Sequence, residues 1–155
     1  PPPPPLFFLM IRRPARSTLD RSSEASDVYK RQQVLSDTSG VKYVAKMTNI
    51  SDGSGESLIK KIDASTTTFM TEDGNRKIAK IWWSVNTTKA NASVELVWDG
   101  DTNATAILLN GQGYWDLRTA GNEIINNATT PTGDVLLSTR DFVVGDNYTI
   151  LVEFR

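Results

Sequence analysis

Four runs of this chain place apolar residues at every second position. Residues 41–48 set Val41, Tyr43, Ala45 and Met47 on one side, and residues 77–85 do the same with Ile81, Trp83 and Val85. Val94, Leu96 and Trp98 follow in 93–98, and Tyr148, Ile150, Val152 and Phe154 in 148–155. Side chains of a strand point alternately to its two faces, so this spacing describes strands with one buried side. Weaker runs at 56–63, 106–109, 114–117 and 133–140 are separated by clusters of Gly, Asn, Asp and Ser that let the chain reverse. No stretch carries a helical stripe. The pattern predicts an all-β domain, an antiparallel β-sandwich of jelly-roll-like form with about seven or eight strands.

Residues 94–118 are the centre of this pattern. The strand ending at Trp98 meets a polar reversal at 99–103, the return strand is 106–109, and Gly111 and Gly113 bracket a second bend before Tyr114 and Trp115. Residues 86–91 are polar and short, so 77–85 and 93–98 are expected to pair as a hairpin. The adjacent Trp82 and Trp83 must face opposite ways. Trp83 shares its side with Ile81 and Val85 and is the expected core residue. Trp82 falls with Ile78 and Lys80 on the other side, exposed or covered by a partner. Residues 49–55 read as a long turn and the threonine run in 64–70 as strand or extended loop. Residues 124–130 read as loop. In 56–63, Lys60 and Lys61 are expected to guard a sheet edge against further pairing.

Composition narrows the chemistry. A chain of 155 residues suits a single domain. With a formal net charge of −1 and 23% charged residues, its balance asks for neither nucleic acid nor an anionic membrane surface. No apolar run approaches the roughly 18–20 residues of a membrane-spanning helix. Cysteine and histidine are both absent. That removes disulfides, thiolate nucleophiles, the commonest general base and the commonest transition-metal ligand. The expected protein is not an enzyme and carries no cofactor and no metal.

Each candidate site has a plainer reading beside it. Asp99, Asp101 and Asn103 begin a calcium-loop spacing, but Ala104 stands where that loop needs Gly and Asn110 where it needs Glu, so a hairpin turn accounts for them. Glu95, Asp116 and Glu153 offer the two carboxylates of a glycosidase, although solvated acids on outward strand positions are the ordinary case. Residues 51–55 lack the Lys-Ser/Thr of a phosphate loop. Asn-x-Ser/Thr triplets at Asn49, Asn86, Asn91, Asn103, Asn127 and Asn147 read as turn chemistry. Trp82, Tyr114 and Trp115 are the candidate interface or ligand-stacking residues, since aromatic side chains near Gly-rich bends stack on sugars or anchor protein contacts.

Residues 1–32 differ from the rest. Five prolines are followed by Ser- and Arg-rich sequence with little apolar periodicity. Residues 7–13, 16–21 and 27–32 resemble sequencing-adapter DNA translated in frame at the edge of an assembled contig. This segment is expected to be non-native or disordered, with a single β-sandwich domain in 33–155.

Within that domain, residues 48–57, 59–63, 81–84 and 94–98 resemble, in order, the motifs of small virion structural proteins of marine tailed phages. So do Gly111–Tyr114, Asp116–Arg118, Thr132–Asp134 and the closing 148–155. The resemblance covers about residues 43–155 and rests on motif order. It implies a non-enzymatic β-sandwich of the virion, a head decoration or head/tail-associated component. Protein–protein contacts with other virion proteins, a homo-oligomer, and no nucleic-acid or membrane partner are implied with it. The alternative is a carbohydrate-binding module for host adsorption that stacks a surface glycan on Tyr114 and Trp115. A third reading is a small glycan-cleaving enzyme.

Overall fold

The structure, a computed structural model, describes residues 30–155. The described residues form nine strands: β1 (Lys30–Thr38), β2 (Lys42–Ile50), β3 (Ile59–Ile62), β4 (Ile78–Asn86) and β5 (Ser93–Thr102), then β6 (Ala104–Leu109), β7 (Gly111–Asp116), β8 (Thr129–Arg140) and β9 (Asn147–Phe154). They form two antiparallel sheets, a five-stranded one in the order β1-β2-β9-β4-β7 and a four-stranded one in the order β3-β8-β5-β6. Without β1, each sheet has four strands, and apart from β5–β6 every consecutive pair from β2 to β9 is split between sheets or separated within one. This is the strand order of a jelly roll. Among the described residues no helix is long and apolar enough to cross a membrane.

The alternating residues do what their period dictates. Tyr43, Ala45 and Met47 of β2, Ile81 and Val85 of β4, and Tyr148, Ile150, Val152 and Phe154 of β9 point inward from the five-stranded sheet. Val94, Leu96 and Trp98 of β5, with Val135 and Leu137 of β8, meet them from the other side. Phe154 is the central contact. Its ring lies 6.0 Å from that of Trp98 and 6.1 Å from that of Tyr43, both within the range of tilted aromatic pairs.

Several expectations need correction. Strands β4 and β5 do not pair as a hairpin, because β4 lies between β9 and β7 while β5 lies between β8 and β6. The 86–92 connection instead carries the chain from one sheet to the other. It is pinned by Thr88, whose N–H and hydroxyl donate to Asp146, and by Asn110, whose amide donates to the carbonyls of Ala90 and Ala92. Ile78 is fully buried rather than on the side of Lys80, since a bulge at Ala79 shifts the register by one residue. Val41 lies in the turn before β2 and is 54% exposed. The threonine run forms a single 3-10 turn, Ala64–Thr66, capped by the Asp63 carboxylate.

The hairpin reversal at 99–103 forms as expected, between the paired Trp98 and Ala104, while Gly100 and Thr102 also ladder with β8. Residues 1–29 of the segment expected to be non-native lie outside the described residues. Lys30, Arg31 and Gln32 belong to β1, so strand structure is present three residues ahead of the expected boundary at 33.

Candidate functional site

Cross-strand register brings residues far apart in sequence into three parallel rows on the outer face of the five-stranded sheet. The middle row runs Lys46, Leu151, Trp82, Tyr114 across β2, β9, β4 and β7. Trp82 and Tyr114 lie directly opposite one another and their rings stack, with centroids 4.6 Å apart and planes 20° apart. They remain 41% and 46% exposed, so the outer ring faces stay open to a partner. On one side lies a row of hydroxyls and an amide, Thr48, Thr149, Ser84 and Gln112. On the other lies a charged row in which Lys80 sits between Glu153 and Asp116.

The acids of that row are already engaged. Arg118 grips Asp116 through two nitrogens, at 2.9 and 2.7 Å, and holds its carboxyl well below the usual carboxylate range. Arg155 donates to Glu153 at 2.7 Å. Glu95 lies on the other sheet. Burial pushes its carboxyl up, but bonds from Thr105 and from Arg140 outweigh that and leave it lowered. By register Asp116 and Glu153 flank Lys80 on one sheet, while Glu95 lies apart from both on the other.

Trp115 does not join Tyr114. As neighbours in β7 they face opposite ways, and Trp115 lies opposite Ile81 on the core side of the sheet. Near the open edge it is half exposed and meets Trp83 edge-on, with centroids 5.5 Å apart. Trp83 packs against the core as expected and donates its indole N–H to the carbonyl of Asn110 at 2.9 Å. Its ring covers Gly113, the residue opposite it on β7, where any Cβ would collide with it. The aromatic platform of the outer face is thus Trp82 with Tyr114. Trp83 and Trp115 close the side of the sandwich.

Two side chains of the polar loop at 99–103 are engaged within the fold, one in the turn itself and one with β8. Asn103 accepts from the Gly100 N–H at 3.1 Å, and Asp99 accepts from the Thr132 hydroxyl at 2.7 Å. Among the described residues no three His, Cys, Asp or Glu side chains are placed to hold a metal ion together.

A second polar cluster lies inside the sandwich, built from residues the sequence places elsewhere. Asn49 is buried in β2, not in a turn. Lys61 is buried as well, because a bulge in β3 leaves it between the paired Lys60 and Ile62 and turns it inward. Glu56, held to β8 by reciprocal bonds with Thr139, receives both. Its Oε1 is 2.5 Å from the Lys61 Nζ. Its Oε2 accepts from the Asn49 amide at 3.1 Å and from the Tyr148 hydroxyl at 2.7 Å. Burial, and then the neighbouring Glu56, push that hydroxyl far above the ordinary phenol range. The Asn49 Oδ1 is buried with no hydrogen-bond partner. No signal in the sequence separates Lys61 from an ordinary edge lysine, since the bulge that redirects it leaves no mark in composition or period.

No family model, curated protein or solved structure matches the chain.

Proposed function

We propose that this chain is a non-enzymatic structural component of a tailed-phage virion, on the head or near the tail. It holds neighbouring copies and other virion proteins through the outer face of its five-stranded sheet. The observation that carries the reading is the stacked, half-exposed Trp82–Tyr114 pair at the middle of that face. Aromatic anchors surrounded by polar and charged positions are the anatomy of a protein interface. Jelly rolls build viral capsid and lectin domains. A fold hosts many functions, so the reading leans on this surface and on the motif order of residues 43–155. The arginine held against each of Asp116, Glu153 and Glu95 supports a non-catalytic role, because glycoside hydrolysis needs one acid and one base acting on the same bond.

One observation favours a second reading, a surface glycan as ligand in host adsorption. The row of Thr48, Thr149, Ser84 and Gln112 puts hydroxyl and amide groups beside an open aromatic face, the combination a sugar ring requires.

Light scattering of the full chain over a concentration series, with and without Trp82→Ser plus Tyr114→Ser, tests both. A discrete oligomer that the double variant abolishes supports the virion contact. An oligomer indifferent to the double variant overturns this choice of surface. A monomer whose tryptophan fluorescence responds to a glycan panel, and loses that response in the variant, moves the assignment to the second reading.

A further inference from the structure

We propose that Lys61 and Asn49 are the two ends of a self-formed isopeptide cross-link, with Glu56 as the catalytic residue. Three features of the buried cluster carry this. The Lys61 amine, an amide carbon and a carboxyl group are collected in one dry site, with side chains of Lys61 and Glu56 only 4% and 1% exposed. Glu56 bridges the other two, one oxygen toward Nζ and the other toward the Asn49 amide. The Asn49 carbonyl oxygen has no partner, although buried polar atoms are as a rule satisfied. Turned toward Glu56 in place of Nδ2, that oxygen would accept from a carboxylic acid there, which draws electrons from Cγ, while the amide nitrogen takes the unpartnered position. The amide's nitrogen and oxygen exchange places by a simple flip.

The atoms balance without any co-reactant. Across the 2.5 Å contact, Nζ hands one proton to Glu56, which turns two costly buried charges into a neutral amine and a neutral acid. The carboxyl turns about its Cγ–Cδ bond so that the protonated oxygen faces Oδ1. The Nζ lone pair then attacks Cγ of Asn49, and that O–H stabilises the charge gathering on Oδ1. Glu56 next protonates Nδ2. The Cγ–Nδ2 bond breaks, ammonia leaves, and Glu56 takes a second proton from Nζ. Of the three protons that Nζ began with, one stays on the new amide, one departs in ammonia and one remains on Glu56. The product is an amide joining β2 in one sheet to β3 in the other, closing the segment between residues 49 and 61. Holding the reactants in place is the main contribution of the fold, since intramolecular geometry alone lowers such barriers greatly.

The test is the intact mass of the purified full chain under denaturing conditions, followed by a tryptic map. Loss of one ammonia lowers the mass by about 17 Da relative to the sequence. Lys61→Arg keeps the cation but cannot form the bond, and it should return to the sequence mass, as should Asn49→Ala. Glu56→Gln should stay uncross-linked. Trypsin should yield residues 47–60 joined through Asn49 to residues 61–76, because a blocked Lys61 is not cleaved. A parent chain at its sequence mass, with free peptides 47–60 and 62–76, overturns the proposal. So does a loss of ammonia that persists in Lys61→Arg, which would mark a succinimide elsewhere.

Discussion

Trp82 and Tyr114, 32 positions apart in sequence, are direct cross-strand partners whose rings stack 4.6 Å apart on the outer face of the five-stranded sheet. Such pairs stabilise a sheet beyond the apolar area they cover. A double-mutant cycle with Trp82→Ala and Tyr114→Ala should give a coupling of about 0.5–1.5 kcal/mol in chemical unfolding. Additive single effects would mean the rings do not stack in solution. Trp115, facing the other way, should show no coupling to Tyr114.

Gly113 is required for space, because the ring of Trp83 rests where its side chain would be. Its backbone is not in the left-handed region, so alanine is conformationally acceptable there. Gly113→Ala should nonetheless destabilise the fold by about 1–3 kcal/mol through overpacking. In a Trp83→Leu background the same substitution should cost much less, as read by urea denaturation. Equal costs in both backgrounds would remove the steric explanation.

Asp146 ties two loops together. It accepts from the Val143 N–H, and from the N–H and hydroxyl of Thr88, at 2.9 to 3.0 Å. Those bonds, the Val143 N–H first, lower its carboxyl below the ordinary value of 3.8. A depressed folded-state value stabilises the fold above the unfolded value, and that contribution is lost as pH falls through the folded one. Asp146→Asn should therefore be less stable than the parent at neutral pH. The gap should narrow as the pH drops below about 4, followed by thermal melting across a pH series.

Strand β1 is integral to the sandwich. It pairs with β2 along its length, Gln32 donates to the Tyr43 hydroxyl at 3.0 Å, and Asp37 accepts the N–H groups of Thr68 and Phe69 at 2.6 and 2.7 Å. A chain starting at Lys30 keeps every one of these contacts. One starting at Gly40 should melt lower by about 5 °C or more. Equal melting of the two would show that β1 contributes nothing.

The strands of this protein were readable because burial on one side of a sheet imposes a period of two. That held for Met47, Leu96 and Val152, and it placed Trp83 inward and Trp82 outward. Partnership was not readable, because nearness in sequence favours a β4–β5 hairpin, whereas the jelly roll sends the chain to the opposite sheet after β4. Bulges hid two more residues: Ile78 and Lys61 each sit beside an inserted residue or are one, and alternation cannot count across it. The opposed directions of Tyr114 and Trp115 follow from the same rule that separates Trp82 from Trp83, so the true platform was within reach of the sequence in direction. Its pairing across 32 positions was not.

The position of β9, between β2 and β4, has a consequence for the order of events during synthesis. Of the described strands, β9 is made after all the others, and it is the one that joins the two halves of the five-stranded sheet. Until residues 147–154 emerge, β1 and β2 can form one ribbon and β4 and β7 another, each with an apolar side waiting for cover. Closure of this sheet must therefore wait for residues 147–154 rather than proceed from the N-terminus as the chain lengthens. A ribosome stalled a few codons early would hold two unjoined ribbons, and each would offer an open edge to any other nascent chain nearby.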